Sequence, residues 1–96
     1  MMKVKIHTIL TLKKVLGQRD LEASFQEGST VQDVLSWMVQ QWGDALSPHL
    51  FSPGSDQLLP HIRLLVNGQD IQFLNGASTI LRDGDELTIL PMLTGG

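Results

Sequence analysis

Ninety-six residues, 42% of them hydrophobic, are enough for one core that buries roughly 60–70% of the unfolded chain's surface. A formal charge of −3, from 7 Lys and Arg against 10 Asp and Glu with no basic cluster, argues against nucleic acid as a partner. The absence of cysteine excludes disulfides, iron–sulfur clusters, thiolate zinc sites and cysteine nucleophiles, and no stretch approaches the ~20 apolar residues of a membrane span.

The opening Met1-Met2-Lys3-Val4-Lys5-Ile6-His7 alternates polar and apolar residues and lacks the continuous apolar run of a secretion signal. The expectation is a soluble cytoplasmic protein. Val4, Ile6, Thr8, Leu10 and Leu12 alternate with Lys3, Lys5, His7, Ile9 and Thr11, which predicts a half-buried first strand. Lys13 to Asp20, with Gly17, reads as a loop holding one helical turn at Lys13–Leu16. Leu21, Ala23 and Phe25 alternate with Glu22, Ser24 and Gln26, a second strand antiparallel to the first.

Gly28-Ser29-Thr30 signals a helix start, and Thr30 with Asp33 forms a capping box with Asp in place of the usual Glu. Val31, Val34, Leu35, Met38 and Trp42 trace one helical face, and Gly43 stands where a left-handed cap is wanted. Residues 43–60 carry Pro48, Pro53, Gly54 and Pro60 and predict a short helix near Asp44–Leu50, then a mobile tip at Ser52–Asp56. Ile62, Leu64 and Val66 form a third strand that ends in the hairpin signal Asn67-Gly68. A return strand is predicted over Gln69–Leu74, a turn at Asn75-Gly76 and a 3₁₀ turn at Ser78–Leu81. Arg82-Asp83-Gly84-Asp85 then turns the chain into a last strand, Glu86 to Met92.

This order, ββαβββ, predicts an α+β protein: a mixed sheet of about five strands with one main helix on one face and its terminal strands central and parallel. That is the β-grasp (ubiquitin-like) arrangement, as a single domain over residues 1–93 with a flexible tail at 94–96. The chain's last two residues, Gly95 and Gly96, pack nothing, because glycine has no Cβ and loses the most entropy on ordering. Chance places two glycines at a terminus in about one chain in two hundred. A tail of this kind suits threading into another protein's active site.

Leu65-Val66-Asn67-Gly68, Asp83-Gly84-Asp85-Glu86-Leu87, Ile89-Leu90-Pro91 and the closing Gly95-Gly96 resemble the ubiquitin-like sulfur carriers of the MoaD/ThiS type, and most of all the molybdopterin synthase small subunit. Leu12-Lys13-Lys14-Val15-Leu16-Gly17 is similar to the connection after their first strand. The ending differs: those carriers often finish Pro-Pro-Val-Ala-Gly-Gly, and this chain has Pro91-Met92-Leu93-Thr94-Gly95-Gly96. The 43–60 connection is also longer than in the compact thiazole-forming carriers.

The resemblance implies a carrier and not an enzyme, with no bound cofactor. An E1-like adenylating enzyme (MoeB- or ThiF-like) would use ATP to activate the Gly96 carboxylate, and a persulfide would convert it to a thiocarboxylate. Sulfur would then pass to the pterin of the molybdenum or tungsten cofactor within a complex with the large (MoaE-like) synthase subunit. Thr94 and Gly95 would thread the tail through a channel too narrow for large side chains, which excludes water from the anhydride. Other destinations are a thiazole or cysteine pathway, or conjugation to protein lysines. A non-covalent β-grasp interaction module is the reading from another class.

Ile9, Leu65, Leu90 and Met92 have the strand parity opposite to Val4, Ile6, Ile62, Leu64, Leu87 and Ile89. On a sheet covered by a helix on one side they form an exposed apolar docking face, with Arg63 on the same face and Leu93 leading to the tail. His7, His49 and His61 read as surface residues and no metal site is expected. Trp37 and Trp42 read as packing, with Trp37 against the 43–60 connection. Asp83, Asp85 and Glu86 read as turn-setting carboxylates, and Ser, His and Asp lack the spacing of a nucleophile elbow.

Overall fold

The structure, a computed structural model, describes residues 1–52, 54 and 57–91. Strand β1 (Met2–Thr8) buries Met2, Val4, Ile6 and Thr8 and turns Lys3, Lys5 and His7 outward. It ends at Thr8. Leu10–Leu16 form helix α1, which contains the helical turn expected at Lys13–Leu16 and begins where the first strand was expected to continue. The competing pattern is Leu12, Val15 and Leu16, an i, i+3, i+4 set that puts Leu12 and Leu16 in the core. Gly17 stops this helix in the left-handed region (φ +77), its N–H donating to Lys13 O.

Strand β2 (Asp20–Phe25) pairs antiparallel with β1, Met2 opposite Phe25 and His7 opposite Asp20. Helix α2 (Val31–Trp42) begins with the expected reciprocal cap: Asp33 N–H donates to Thr30 Oγ1 at 3.3 Å and Thr30 N–H to Asp33 Oδ2 at 2.9 Å. Val31, Val34, Leu35 and Met38 are buried, and Trp42 is half-buried. Trp37 packs edge-to-face between Phe25, with centroids 5.3 Å apart, and Trp42, at 5.9 Å, which binds the helix to the edge strand. Gly43 has a positive φ (+54) but, at ψ −133, is not in the left-handed helical basin that was expected.

The 43–60 connection opens with a 3₁₀ turn, Gly43–Ala45, and a short helix α3, Ser47–Leu50. It sends Leu46, Leu50 and Phe51 into the core. A bridge between Phe51 and Leu58 closes it, with Leu59 N–H donating to Leu50 O at 2.8 Å. Part of the tip expected at Ser52–Asp56 (Pro53, Ser55 and Asp56) lies outside the described residues.

Strand β3 (Ile62–Val66) turns at Asn67-Gly68 into β4, which spans only Gln69–Asp70. The expected return strand to Leu74 is replaced by a 3₁₀ turn at Ile71–Phe73, because the Asp70 carboxylate accepts the Gln72 N–H at 2.9 Å and caps a turn. This turn buries Ile71 and leaves Phe73 exposed. The next 3₁₀ turn lies at Gly76–Ser78 and not at Ser78–Leu81.

Strand β5 (Glu86–Pro91) completes a five-stranded sheet in the order β2-β1-β5-β3-β4. β1 and β5 are parallel neighbours, and the other pairings are antiparallel. The β-grasp architecture is as expected. Val4, Ile6, Ile62, Leu64, Leu87 and Ile89 all point into the core beneath α2. Among the described residues no helix is long and apolar enough to cross a membrane.

Candidate functional site: the C-terminal strand and the open face of the sheet

β5 is the strand that leads to the chain's end. Leu87 and Ile89 are fully buried, with Ile6 and Thr8 beside them on β1 and Val66 and Leu64 on β3. The strand runs out at Pro91 opposite Ile62. Met92, Leu93, Thr94, Gly95 and Gly96, which carry the expected threading and reacting positions, lie outside the described residues.

The start of β5 is held by the same short motifs that stood out in the sequence. Asp83 Oδ1 accepts Lys3 N–H at 2.7 Å, and Gly84 N–H donates to Lys3 O at 2.8 Å. Asp85 Oδ2 accepts Arg82 N–H at 2.8 Å, closing the turn. Across the sheet, Asn67 Nδ2 donates to Asp85 Oδ1 at 2.9 Å, and Asn67 Oδ1 accepts Glu86 N–H at 3.0 Å. The carboxylates Asp83 and Asp85 therefore set turn geometry, as expected. Asn67 was read only as a hairpin residue. Its side chain also ties the β3–β4 hairpin to the base of β5, a link between distant segments that no local pattern encodes.

Asn67 does this at φ +52, the only positive φ at a non-glycine among the described residues. Asn67→Ala loses both side-chain bonds and keeps an unfavourable backbone, so it should destabilise by about 1–3 kcal/mol. Asn67→Gly relieves the backbone and should recover part of that loss. Chemical denaturation of the two variants checks the order.

Among the described residues no helix covers the outer face of the sheet, where Lys3, Lys5, Glu22, Ser24, Arg63 and Glu86 are exposed. Paired residues share a face, so the registers place Asp20, His7, Thr88, Leu65 and Asp70 in one transverse row. Leu90 stands opposite Arg63 in the neighbouring row. Leu65, Thr88 and Leu90 are half-buried, a lower profile than the exposed patch expected. Arg63 Nη1 lies 3.7 Å from Asp70 Oδ2, an ion pair within the chain. Ile9 lies past the end of the strand. It is the extended residue that caps α1, half-buried, one position past the last parallel pair, Thr8 with Ile89. The structure thus brings Arg63, Leu65 and Leu90 together beside the end of β5 and puts Ile9 at the border of that group.

Toward β2 the face becomes charged, with Lys5 between Glu22 and Glu86. His7 Nδ1 donates to Asp20 Oδ1 at 2.6 Å. This hydrogen bond, and then the charges of His7 and Arg19, hold the Asp20 carboxyl below the usual aspartate range. A carboxyl with a depressed folded pKa adds stability above its unfolded pKa and loses it as pH falls through the folded value. Asp20→Asn should therefore flatten the acid limb of stability below the ordinary aspartate range; thermal melts across that range check it. His49 is exposed and His61 half-buried, and no cluster of metal-ligating side chains occurs among the described residues.

Comparison with known proteins agrees with this architecture. The profile of the ThiS family matches residues 10–96. Small archaeal modifier protein 3 of Haloferax volcanii is 30% identical over 95 residues, which cover 99% of this chain and 100% of that protein. The sulfur carrier protein CysO of Mycobacterium tuberculosis is 35% identical over 81 residues, 83% of each chain. The solution structure of small archaeal modifier protein 1 from Methanosarcina acetivorans superposes with a TM-score of 0.85 at 34% identity, covering 100% of this chain and 98% of that one. A family profile that spans nearly the whole sequence, on a β-grasp fold shared with small carriers and modifiers, makes this chain a member of the ThiS family, a ubiquitin-like carrier or modifier and not an enzyme.

Proposed function

We propose that the chain is a sulfur carrier whose reacting group is the Gly96 carboxylate. A chain-terminal carboxylate is ionised at neutral pH and attacks the α-phosphate of ATP, forming an acyl-adenylate as pyrophosphate leaves. A partner's persulfide displaces AMP to give an acyl disulfide, and a thiol supplied by that partner attacks the S–S bond, releasing the thiocarboxylate and leaving a disulfide on the partner. ATP and persulfide belong to an E1-like partner of the MoeB or ThiF type; this chain contributes the tail and the surface that docks it. The observation that carries the reading is the anchoring of β5. It is buried at Leu87 and Ile89, pinned at its base by Asp83, Asp85 and Asn67, and delivers Pro91 at the edge of the open face.

Leu65 and Leu90, with Arg63 and bordering Ile9, form the docking face next to that exit; Met92 and Leu93, expected to belong to it, lie outside the described residues. Gly95 and Gly96, preceded by Thr94, are slim enough to enter a channel that admits backbone and excludes water. The destination of the sulfur is a molybdopterin precursor, received through a MoaE-like large subunit. Conjugation to protein lysines is a second reading, favoured by the full-length similarity to the Haloferax modifier. The purified chain, mixed with ATP and the E1-like enzyme of its own organism, should release pyrophosphate and form an AMP adduct at Gly96. Pyrophosphate release that does not depend on this chain would contradict the proposal.

A further inference from the structure

The chain contains three dipeptides prone to intramolecular ring closure, Asn67-Gly68, Asn75-Gly76 and Asp83-Gly84, and the fold treats them differently. In each, the backbone nitrogen of the glycine is the nucleophile and the preceding side-chain carbonyl carbon the target. At Asp83-Gly84 both are occupied: Gly84 N–H donates to Lys3 O at 2.8 Å and Asp83 Oδ1 accepts Lys3 N–H at 2.7 Å. At Asn67 the amide is held at both ends, by Asp85 at 2.9 Å and by Glu86 N–H at 3.0 Å, in a hairpin joined to the centre of the sheet.

Asn75 differs on both counts. It is exposed, its amide makes no capping bond, and among the described residues it has no side-chain partner. Gly76 opens a 3₁₀ turn, and its N–H has no acceptor among the described residues. The backbone at Asn75 (φ −104, ψ +26) must swing for the two groups to meet. That swing opens only a short turn, held by Ser78 N–H to Asn75 O, Thr79 N–H to Gly76 O and Asn75 N–H to Thr79 Oγ1, each 3.1 Å, and by the Thr79 hydroxyl donating to Gly76 O at 2.7 Å. Local openings of this size are far less costly than opening the sheet.

We propose that Asn75 is the chain's site of spontaneous deamidation, with Asn67 and Asp83 shielded by the fold. The Gly76 nitrogen bonds to Asn75 Cγ, the Cγ–Nδ2 bond breaks and ammonia leaves with the proton that Gly76 gives up. Water then opens the succinimide at either carbonyl, giving aspartate or β-linked isoaspartate and one additional negative charge. In the isoaspartate product a backbone atom is added four residues before Thr79, whose carbonyl accepts Val31 N–H at 3.0 Å, and before the Thr30–Ile80 bridge, so that product loosens the seat of the first turn of α2.

The test is peptide mapping by mass spectrometry with fragmentation that separates aspartate from isoaspartate, after incubating the full chain in mildly alkaline buffer, folded and in denaturant. In the folded protein Asn75 should convert at least about tenfold faster than Asn67, the side-chain bonds at Asn67 adding to its barrier. In denaturant the ratio should fall to near unity, because both are Asn-Gly pairs in an open chain. Equal rates in the folded state, or conversion first at Asn67 or Asp83, would overturn the proposal. Asn75→Gln should leave folded chains free of the early product; its persistence would also overturn it.

Discussion

Removal of Gly96 should abolish loading of the tail and leave the thermal midpoint unchanged. The core among the described residues runs from Met2 to Ile89, and β5 is held by its neighbours β1 and β3 up to Pro91, so the described packing is made without the last residue. Deletion leaves a carboxylate, now on Gly95, but it lies one residue short. With β5 immobile, the shortfall of ~3.5 Å cannot be taken up by the body of the protein. A displacement of about 1 Å is enough to cost a hundredfold where reacting atoms must be aligned. A non-covalent interaction module would be indifferent to the same deletion, so AMP-adduct formation measured beside a thermal melt separates the two classes. Undiminished loading of the truncated chain would rule out Gly96 as the reacting position.

Leu90→Glu should fold normally and fail to be activated. Leu90 is half-buried on the open face, opposite Arg63, so a carboxylate there gains a cross-strand partner and stability should stay within about 0.5 kcal/mol. The same carboxylate at the centre of an apolar contact would have to be desolvated against Leu65 and the docked partner. Loss of an interface centre of this kind is worth about 2 kcal/mol or more, roughly a thirtyfold weaker complex. Titration of the activating enzyme with each chain measures it. Unchanged affinity with intact folding would move the docking surface elsewhere.

The architecture was legible because its strongest signals are local and mutually consistent. Thr30 and Asp33 announce a helix start, Val31 to Met38 its buried stripe, and Asn67-Gly68 a hairpin, and each is found where the sequence placed it. The errors have physical causes. Leu10 and Leu12 extend the alternation of β1 on paper, but Leu12, Val15 and Leu16 also fit one helical face, which buries Leu12 and Leu16 in a helix stopped by Gly17. The strand after Asn67-Gly68 stops early because the Asp70 side chain captures Gln72 N–H and begins a turn, a choice between backbone partners that hydrophobic periodicity does not register.

For the candidate site, strand parity correctly put Arg63, Leu65 and Leu90 on one face, since a period of two leaves no other choice once Leu64 and Ile89 are inside. Ile9 lies one residue beyond the strand's end, where parity along β1 no longer decides its face. The bonds from Asn67 to Asp85 and Glu86, and from His7 to Asp20, are contacts across 18, 19 and 13 residues that follow only from the assembled sheet.

The central claim is chemical, so the most direct measurement is the intact mass of the protein isolated from its native cell. A carrier should show a fraction whose mass has risen by the replacement of one oxygen with sulfur, with the change mapped to Gly96. A chain found only with an unmodified Gly96 carboxylate, under conditions where its activating enzyme is present and active, would contradict the account. Gly96 joined to lysines of other proteins, with no thiocarboxylate, would instead assign the tail to protein modification.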